Sequence, residues 1–180
     1  MINLKIDGIA VTVPEGTTVL EAARQLNIQI PTLCYLKDIN EIGACRMCLV
    51  EIKGARALQA SCVYPVAEGI EVYTNSPLVK KTRKANLELI LSDHNRECTT
   101  CVRSENCELQ RLAKDLGITD IRFVGEKSSN TVKEINSCIV RDESKCIYCK
   151  RCIAVCNKVQ HVGALGAVGR GFHAKAKPPF

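Results

Sequence analysis

Tryptophan is absent, and only four Tyr and three Phe occur among 180 residues. Aromatic side chains bury large areas each, so a chain this poor in them is short of big core pieces for its length. Long apolar runs are missing too. No window approaches the roughly 20 apolar residues of a membrane-spanning helix, which argues against membrane insertion. The opening MINLKIDGIAVTVPEG alternates apolar and polar residues and has neither the continuous apolar stretch nor the cleavage site of a secretory signal. A cytoplasmic location is therefore expected, where thiols stay reduced and disulfides are rare. Concentrated positive charge is also lacking. The formal net charge is +6, but Lys and Arg are scattered apart from KKTRK at Lys80–Lys84. That short run reads as a solvated helix face. Nucleic acid is thus not an expected partner, and the basic excess better suits anionic clusters and partner surfaces.

Cysteine, by contrast, is abundant, with 12 in the chain. Modules short of core are commonly held together by metal. Close-set cysteines in a reducing compartment bind metal or act in redox chemistry.

The pattern predicts an α+β protein in three modules: 1–76, 77–117 and 118–180. In the first, Ile2–Asp7 and Ile9–Val13 alternate around Gly8 as a hairpin that ends at Pro14-Glu15-Gly16. A helix starts at Thr18, where Thr18-Val19-Leu20-Glu21 fits a capping box. Val19, Ala22, Ala23 and Leu26 form its apolar face, and Pro31 closes the helical stretch. Met47–Ile52 and Ile70–Thr74 have strand composition, giving a mixed sheet packed on one helix. The second module opens with Ser76 as N-cap and Pro77 at the first helical position. Leu78, Val79, Ala85, Leu87, Ile90 and Leu91 stripe this helix toward His94. Another helix follows Cys107, with Leu109, Leu112, Ala113 and Leu116 on one face and Gly117 as its cap. A polar link at Gly125–Asn130 precedes the third module, whose ending AKAKPPF reads as unstructured.

Three cysteine sets carry the chemistry. The first is Cys34, Cys45, Cys48 and Cys62. Four soft thiolates suit an iron–sulfur cluster or zinc. Gly43 and Ala44 leave room for a loop to wrap a cluster. Plant-type ferredoxins combine a β-rich sheet, one helix and such a loop, but with four residues in the first gap where this chain has ten. The sheet–helix context favours [2Fe–2S] over zinc. The second set is His94, Cys98, Cys101 and Cys107. Three thiolates with one neutral imidazole complete either a zinc site or a cluster site, and the spacing alone leaves both open. The third set, Cys146, Cys149, Cys152 and Cys156, has gaps of two, two and three. This is the bacterial ferredoxin run for [4Fe–4S] clusters, lacking only the Pro after its fourth Cys, where Asn157 stands. The fourth Cys of such a run usually ligates the other cluster of a pair. A chain that makes one cubane more readily uses its other sets for clusters, which favours His94 as a ligand. Cys138 fits none of the sets and reads as a packed or incidental thiol.

On these motifs, with Glu108-Leu109-Gln110 and the stretch CIYCKRCIAVCNKVQHVGALGAVGRGF, the chain closely resembles the N-terminal iron–sulfur region of the large iron-only ([FeFe]) hydrogenases over residues 1 to about 172. More distantly it is similar to the 75-kDa-type subunit of respiratory complex I and to some formate dehydrogenases. Cys156 and the Val159-Gln160, Gly163-Ala164 and Gly169-Arg170-Gly171 elements look more like hydrogenase than complex I. The resemblance implies a β-grasp [2Fe–2S] domain, a small helical [4Fe–4S] domain with one His and three Cys ligands, and a ferredoxin-like domain for two [4Fe–4S] clusters. It also implies a relay between a redox partner (ferredoxin, an NAD(P)H-oxidising flavoprotein subunit, or both) and a hydrogenase catalytic domain or subunit. The remainder after Cys156 has no further cysteine, whereas the family carries a second run there. Cys146, Cys149 and Cys152 would then want a fourth ligand from a missing segment, another chain, Cys138 or Cys156. No catalytic residues are visible, which disfavours a hydrogenase acting alone. A redox-silent zinc scaffold is the rival from another class.

Overall fold

A computed structural model describes residues 1–126, 132–136 and 139–178. Strand β1 (Ile2–Ile6) turns through Asp7-Gly8 into β2 (Ile9–Val13). Both turn residues have positive φ, 49° and 85°, the geometry that matches the twist of the flanking strands. The Asp7 carboxylate also accepts from the Thr74 N–H (2.8 Å) and hydroxyl (2.5 Å), tying the turn to the end of the neighbouring parallel strand, Glu71–Tyr73.

Helix α1 (Val19–Gln25) starts where the capping box predicts, with Thr18 Oγ1 accepting from the Glu21 N–H at 3.3 Å. The reciprocal half of the box is replaced. Glu21 accepts instead from the Tyr35 hydroxyl at 2.6 Å and from Arg24 at 2.7 Å. The helix ends well before Pro31, at Leu26. Left-handed Asn27 follows it, and the Ile28 N–H returns to the Ala23 carbonyl while the Asn27 N–H bonds Arg24. That pair of bonds is the Schellman stop with Asn in place of Gly.

Strands β3 (Leu49–Ile52), β4 (Gln59–Ala60) and β5 (Glu71–Tyr73) complete a sheet of order β2-β1-β5-β3-β4. Only the β1–β5 pair is parallel. Leu4 and Ile6 of β1, Val13, Val50, Ile52 and Val72 meet Val19, Leu20, Ala22 and Ala23 of α1 in one core. The expected mixed sheet on one helix is what forms, with β4 as an addition too short to show in the composition. Leu20 is fully buried. Leu20→Ala is expected to lower stability by about 2–5 kcal/mol through lost burial and a residual cavity, read as a fall in the urea midpoint.

Helix α2 (Pro77–Asp93) starts with the Ser76 hydroxyl accepting from the Val79 N–H at 3.3 Å. Its buried face follows the predicted stripe only in part. Val79, Leu87 and Leu91 are buried, but Leu78 is 53% exposed, and Arg83, Glu88 and Ser92 are buried among the apolar residues. The KKTRK run is therefore only partly a solvated face. Lys80 and Lys81 are exposed, whereas Arg83 points inward.

The chain divides into two compact units, Met1–Lys37 with Glu41–Asn86, and Asp38–Asn40 with Leu87–Phe180. In the second unit, α3 (Glu108–Asp115) buries Leu109 and Leu112. It closes through left-handed Gly117, with the Ile118 N–H on the Ala113 carbonyl. Glu88, buried on α2, is paired with Arg122 at 2.7 Å. Strand β6 (Val132–Asn136) pairs with β7 (Ile139–Asp142), and α4 spans Arg151–Lys158. Most of the predicted polar link, and Cys138, lie outside the described residues. The ending is not unstructured up to Lys177. Strand β9 (Lys175–Lys177) pairs with β8 (Gly166–Val168), Ala176 is buried, and Lys175 reaches Asp93 at 3.6 Å. Pro179-Phe180 lie outside the described residues. No helix among them is long and apolar enough to cross a membrane.

Candidate metal centres

In the first unit, Cys34, Cys48 and Cys62 are buried and Cys45 is half-buried. The β3–β4 pairing opposes Leu49 to Ala60, and the Ser61 N–H bonds the Cys48 carbonyl at 3.1 Å. This register carries Cys62 to Cys48, Sγ to Sγ 3.3 Å. Cys34 and Cys45 form a second thiol pair through their own side-chain hydrogen bond. Cys62 also feels the charges of Cys34 and Cys45, so the two pairs share one site.

Hydrogen bonds set the ionisation of these thiols. The bond from Cys34 draws Cys45 down to about 5 against the opposing effect of burial, helped by the N–H groups of Met47, Leu33 and Cys34. The bond from Cys62 likewise draws Cys48 down to about 7. Their partners Cys34 and Cys62 are pushed up by the same bonds and by burial. Backbone donors turned on sulfur favour thiolate, the form that binds metal. The loop makes this possible with left-handed residues at Asp38, Gly43 and Arg46. A Cβ on Gly43 would also stand 3.3 Å from a Val63 methyl.

Among the described residues no three His, Cys, Asp or Glu side chains converge on a single-ion site. A two-iron cluster takes two thiolates per iron, and the two-pair arrangement fits that need.

In the second unit, Cys98 sits in a 3-10 turn, Cys98–Thr100, and the Cys101 N–H returns to the Cys98 carbonyl at 3.1 Å. Cys107 caps α3. His94 follows directly on α2, and its Nδ1 is buried with no hydrogen-bond partner. Burial, then the nearby Lys145 charge, holds the imidazole below its ordinary pKa, with Asp142 and Asp93 opposing. A neutral ring with an orphaned nitrogen is what a ligand histidine requires. Eleven cysteines are described, and none of them forms a disulfide.

Of the third set, Cys146 follows a 3-10 turn, Glu143–Lys145, and its sulfur accepts from the Tyr148 N–H at 3.4 Å. Tyr148 and Lys150 are left-handed, folding the CIYCKRC loop back on itself. The Asn40 amide holds the Cys149 carbonyl at 3.0 Å. Burial raises the Cys149 thiol, the Arg151 N–H and charge pull it down, and the charges of Cys146 and Cys152 add to the rise. Those three thiols therefore sit within electrostatic reach of one another. Cys152 and Cys156 stand one turn apart on α4, with Cys152 exposed.

One residue at these sites was not singled out from the sequence. Arg83 donates from Nη2 to the Leu49 carbonyl at 2.6 Å, and Cys48 lies within reach of its charge. The series Val79, Arg83, Leu87, Leu91 at a spacing of four was the available signal.

Comparison with known proteins places a 2Fe-2S iron-sulfur cluster binding domain at residues 1–77. The NADH-ubiquinone oxidoreductase-G iron-sulfur binding region matches residues 83–122. The chain is an iron–sulfur electron-transfer module. Its cofactors are [2Fe–2S] and [4Fe–4S] clusters. The module is 45% identical over 185 residues to the NADP-reducing hydrogenase subunit HndD of Solidesulfovibrio fructosivorans, covering 100% of this chain and 32% of the relative. It is 40% identical over 173 residues to a G-type NADH-quinone oxidoreductase chain of Rhizobium meliloti (95% and 20%). It is 39% identical over 171 residues to the NADH-ubiquinone oxidoreductase 75 kDa subunit of Reclinomonas americana (95% and 25%). The module thus spans a third or less of these curated relatives. Among solved structures it resembles an NAD+-reducing [NiFe]-hydrogenase in the H2-reduced state. There the TM-score is 0.90 at 29% identity, covering 99% of this chain and 75% of that one. The module is of the kind found in hydrogenase and NADH dehydrogenase subunits.

Proposed function

We propose that the module relays single electrons between a redox partner and the catalytic part of an [FeFe]-hydrogenase-type oxidoreductase, which oxidises hydrogen or reduces protons. The observation that carries the relay is the buried double thiol pair with backbone N–H groups aimed at its sulfurs. In this reading Cys34, Cys45, Cys48 and Cys62 hold the [2Fe–2S] cluster on a β-grasp domain, residues 1–76. His94, Cys98, Cys101 and Cys107 hold a [4Fe–4S] cluster on 77–117. Cys146, Cys149 and Cys152 give three corners of a further [4Fe–4S] cluster in 118–180, and Cys156 belongs to the other cluster of that pair.

Bound clusters supply one-electron redox chemistry, and the chain's residues do the rest. Cys45 and Cys48 present thiolates, the surrounding N–H groups stabilise negative charge on sulfur, and burial excludes water. Support for a hydrogenase comes from the match to about a third of HndD along the whole of this chain and from the likeness to a [NiFe]-hydrogenase chain. HndD is named an NADP-reducing hydrogenase subunit, which supports a nicotinamide nucleotide at one end of the relay; a flavoprotein subunit or ferredoxin would be the partner there. A second reading, an NADH dehydrogenase subunit, is favoured by the match at residues 83–122 and by the Rhizobium and Reclinomonas relatives.

Material purified without oxygen should be brown, bleach with dithionite and hold iron and acid-labile sulfide in equal amounts. Stoichiometric zinc without sulfide would sink the relay. The assembly isolated from its host separates the two readings. Hydrogen evolution from reduced viologen supports the first, and NADH oxidation without hydrogen the second.

A further inference from the structure

We propose that Arg83 is a positioning residue for the [2Fe–2S] site, a fixed buried cation that raises the site's reduction potential. This rests on the assignment of Cys34, Cys45, Cys48 and Cys62 as its ligands.

Arg83 is 4% exposed. A guanidinium carries five N–H donors. Nη2 is fixed on the carbonyl of Leu49, the residue directly after Cys48, and Nε is buried with no hydrogen-bond partner. Burying a charge this incompletely paired is costly. Packing alone would not ask for it, because Val79, Leu87 and Leu91 fill the same face with plain hydrocarbon. Two groups of opposite sign offset the cost, Cys48 first and Asp7 second. The Asp7 carboxylate is already engaged by Thr74 through its N–H and hydroxyl. The thiolate site is the larger of the two counter-charges of the guanidinium.

Reduction adds one electron to thiolate-bound iron and breaks no bond, so the site gains negative charge. A cation held in a low-dielectric interior stabilises that product more than the reactant. Lys80 and Lys81, on the same helix but exposed, are screened by water and salt and cannot act in this way.

The test is a redox titration of the anaerobically purified full chain, followed by electron paramagnetic resonance. Dithionite serves as reductant and ferricyanide as oxidant. Arg83→Gln and Arg83→Met remove the charge, the second filling the volume with hydrocarbon. Each should lower the reduced-to-oxidised ratio at a given solution potential about tenfold, a midpoint about 59 mV more negative for one electron. Arg83→Lys, which keeps a cation, should stay near wild type, and Lys80→Gln should change nothing. Neutral variants that retain the wild-type potential would overturn the proposal, as would a Lys variant displaced as far as Gln. If the neutral variants fold by circular dichroism but lose the signal while Lys keeps it, the cation is needed to hold the anionic site, which supports the proposal. Loss in all three variants makes Arg83 a packing residue and overturns it. Failure of the underlying reading is distinct: the wild type itself would then give no [2Fe–2S] signal.

Discussion

Cys45→Ala should eliminate the [2Fe–2S] signal while iron remains bound elsewhere in the chain. Cys45 is the thiol most strongly biased toward thiolate in the first unit, drawn to about 5 by its bond from Cys34 and by three backbone N–H groups. Its loss leaves Cys34 without its partner sulfur on that side of the site. The Cys48–Cys62 pair can serve one iron but not two. Even outer-shell partners of metal ligands cost 10–100-fold in affinity when removed, so losing a ligand itself should cost more than about 100-fold. Iron analysis and electron paramagnetic resonance before and after dithionite read the result directly. A variant that keeps the wild-type signal would show that Cys45 is not a ligand.

His94→Ala should remove or convert the [4Fe–4S] cluster of the second set and leave the [2Fe–2S] signal intact. The imidazole Nδ1 is buried and unpartnered, and burial keeps the ring neutral. An interior nitrogen without a partner is unfavourable unless something binds it. His94→Cys is the informative companion. It restores a fourth donor but adds a negative charge, so the cluster should reassemble at a lower potential, because net charge is one of the levers that set it. Retention of both signals in His94→Ala would remove the histidine from the ligand set.

Local signals in the sequence were reliable wherever the deciding physics was local. Asp7-Gly8 between alternating strands, Thr18 and Ser76 as caps, and Gly117 as a stop all lie where short-range chemistry puts them. The thiols of the first set could be enumerated from spacing, but their division into pairs could not. It depends on β4 docking on β3, a two-residue strand with no compositional mark. AKAKPPF misled for a similar reason, since its small basic residues gain order from a partner strand elsewhere in the sequence, Gly166–Val168. Arg83 was hidden inside a run of charges. Counting charge in a window treats all four basic residues alike, while helical geometry turns one of them inward. The three families named on the motifs share most of these ligands, so the cysteine pattern defines the chemistry far better than it defines the enzyme.

Arg46, Tyr148 and Lys150 hold left-handed backbone without being glycine. Each such residue costs on the order of 1–2 kcal/mol and persists only where its surroundings insist on it. The scaffold is therefore what makes these loops competent. A short synthetic peptide spelling out residues 145–156 would carry every sulfur of the third set yet relax to ordinary right-handed turns, so transplanting such a centre into another protein means moving the frame as well as the cysteines.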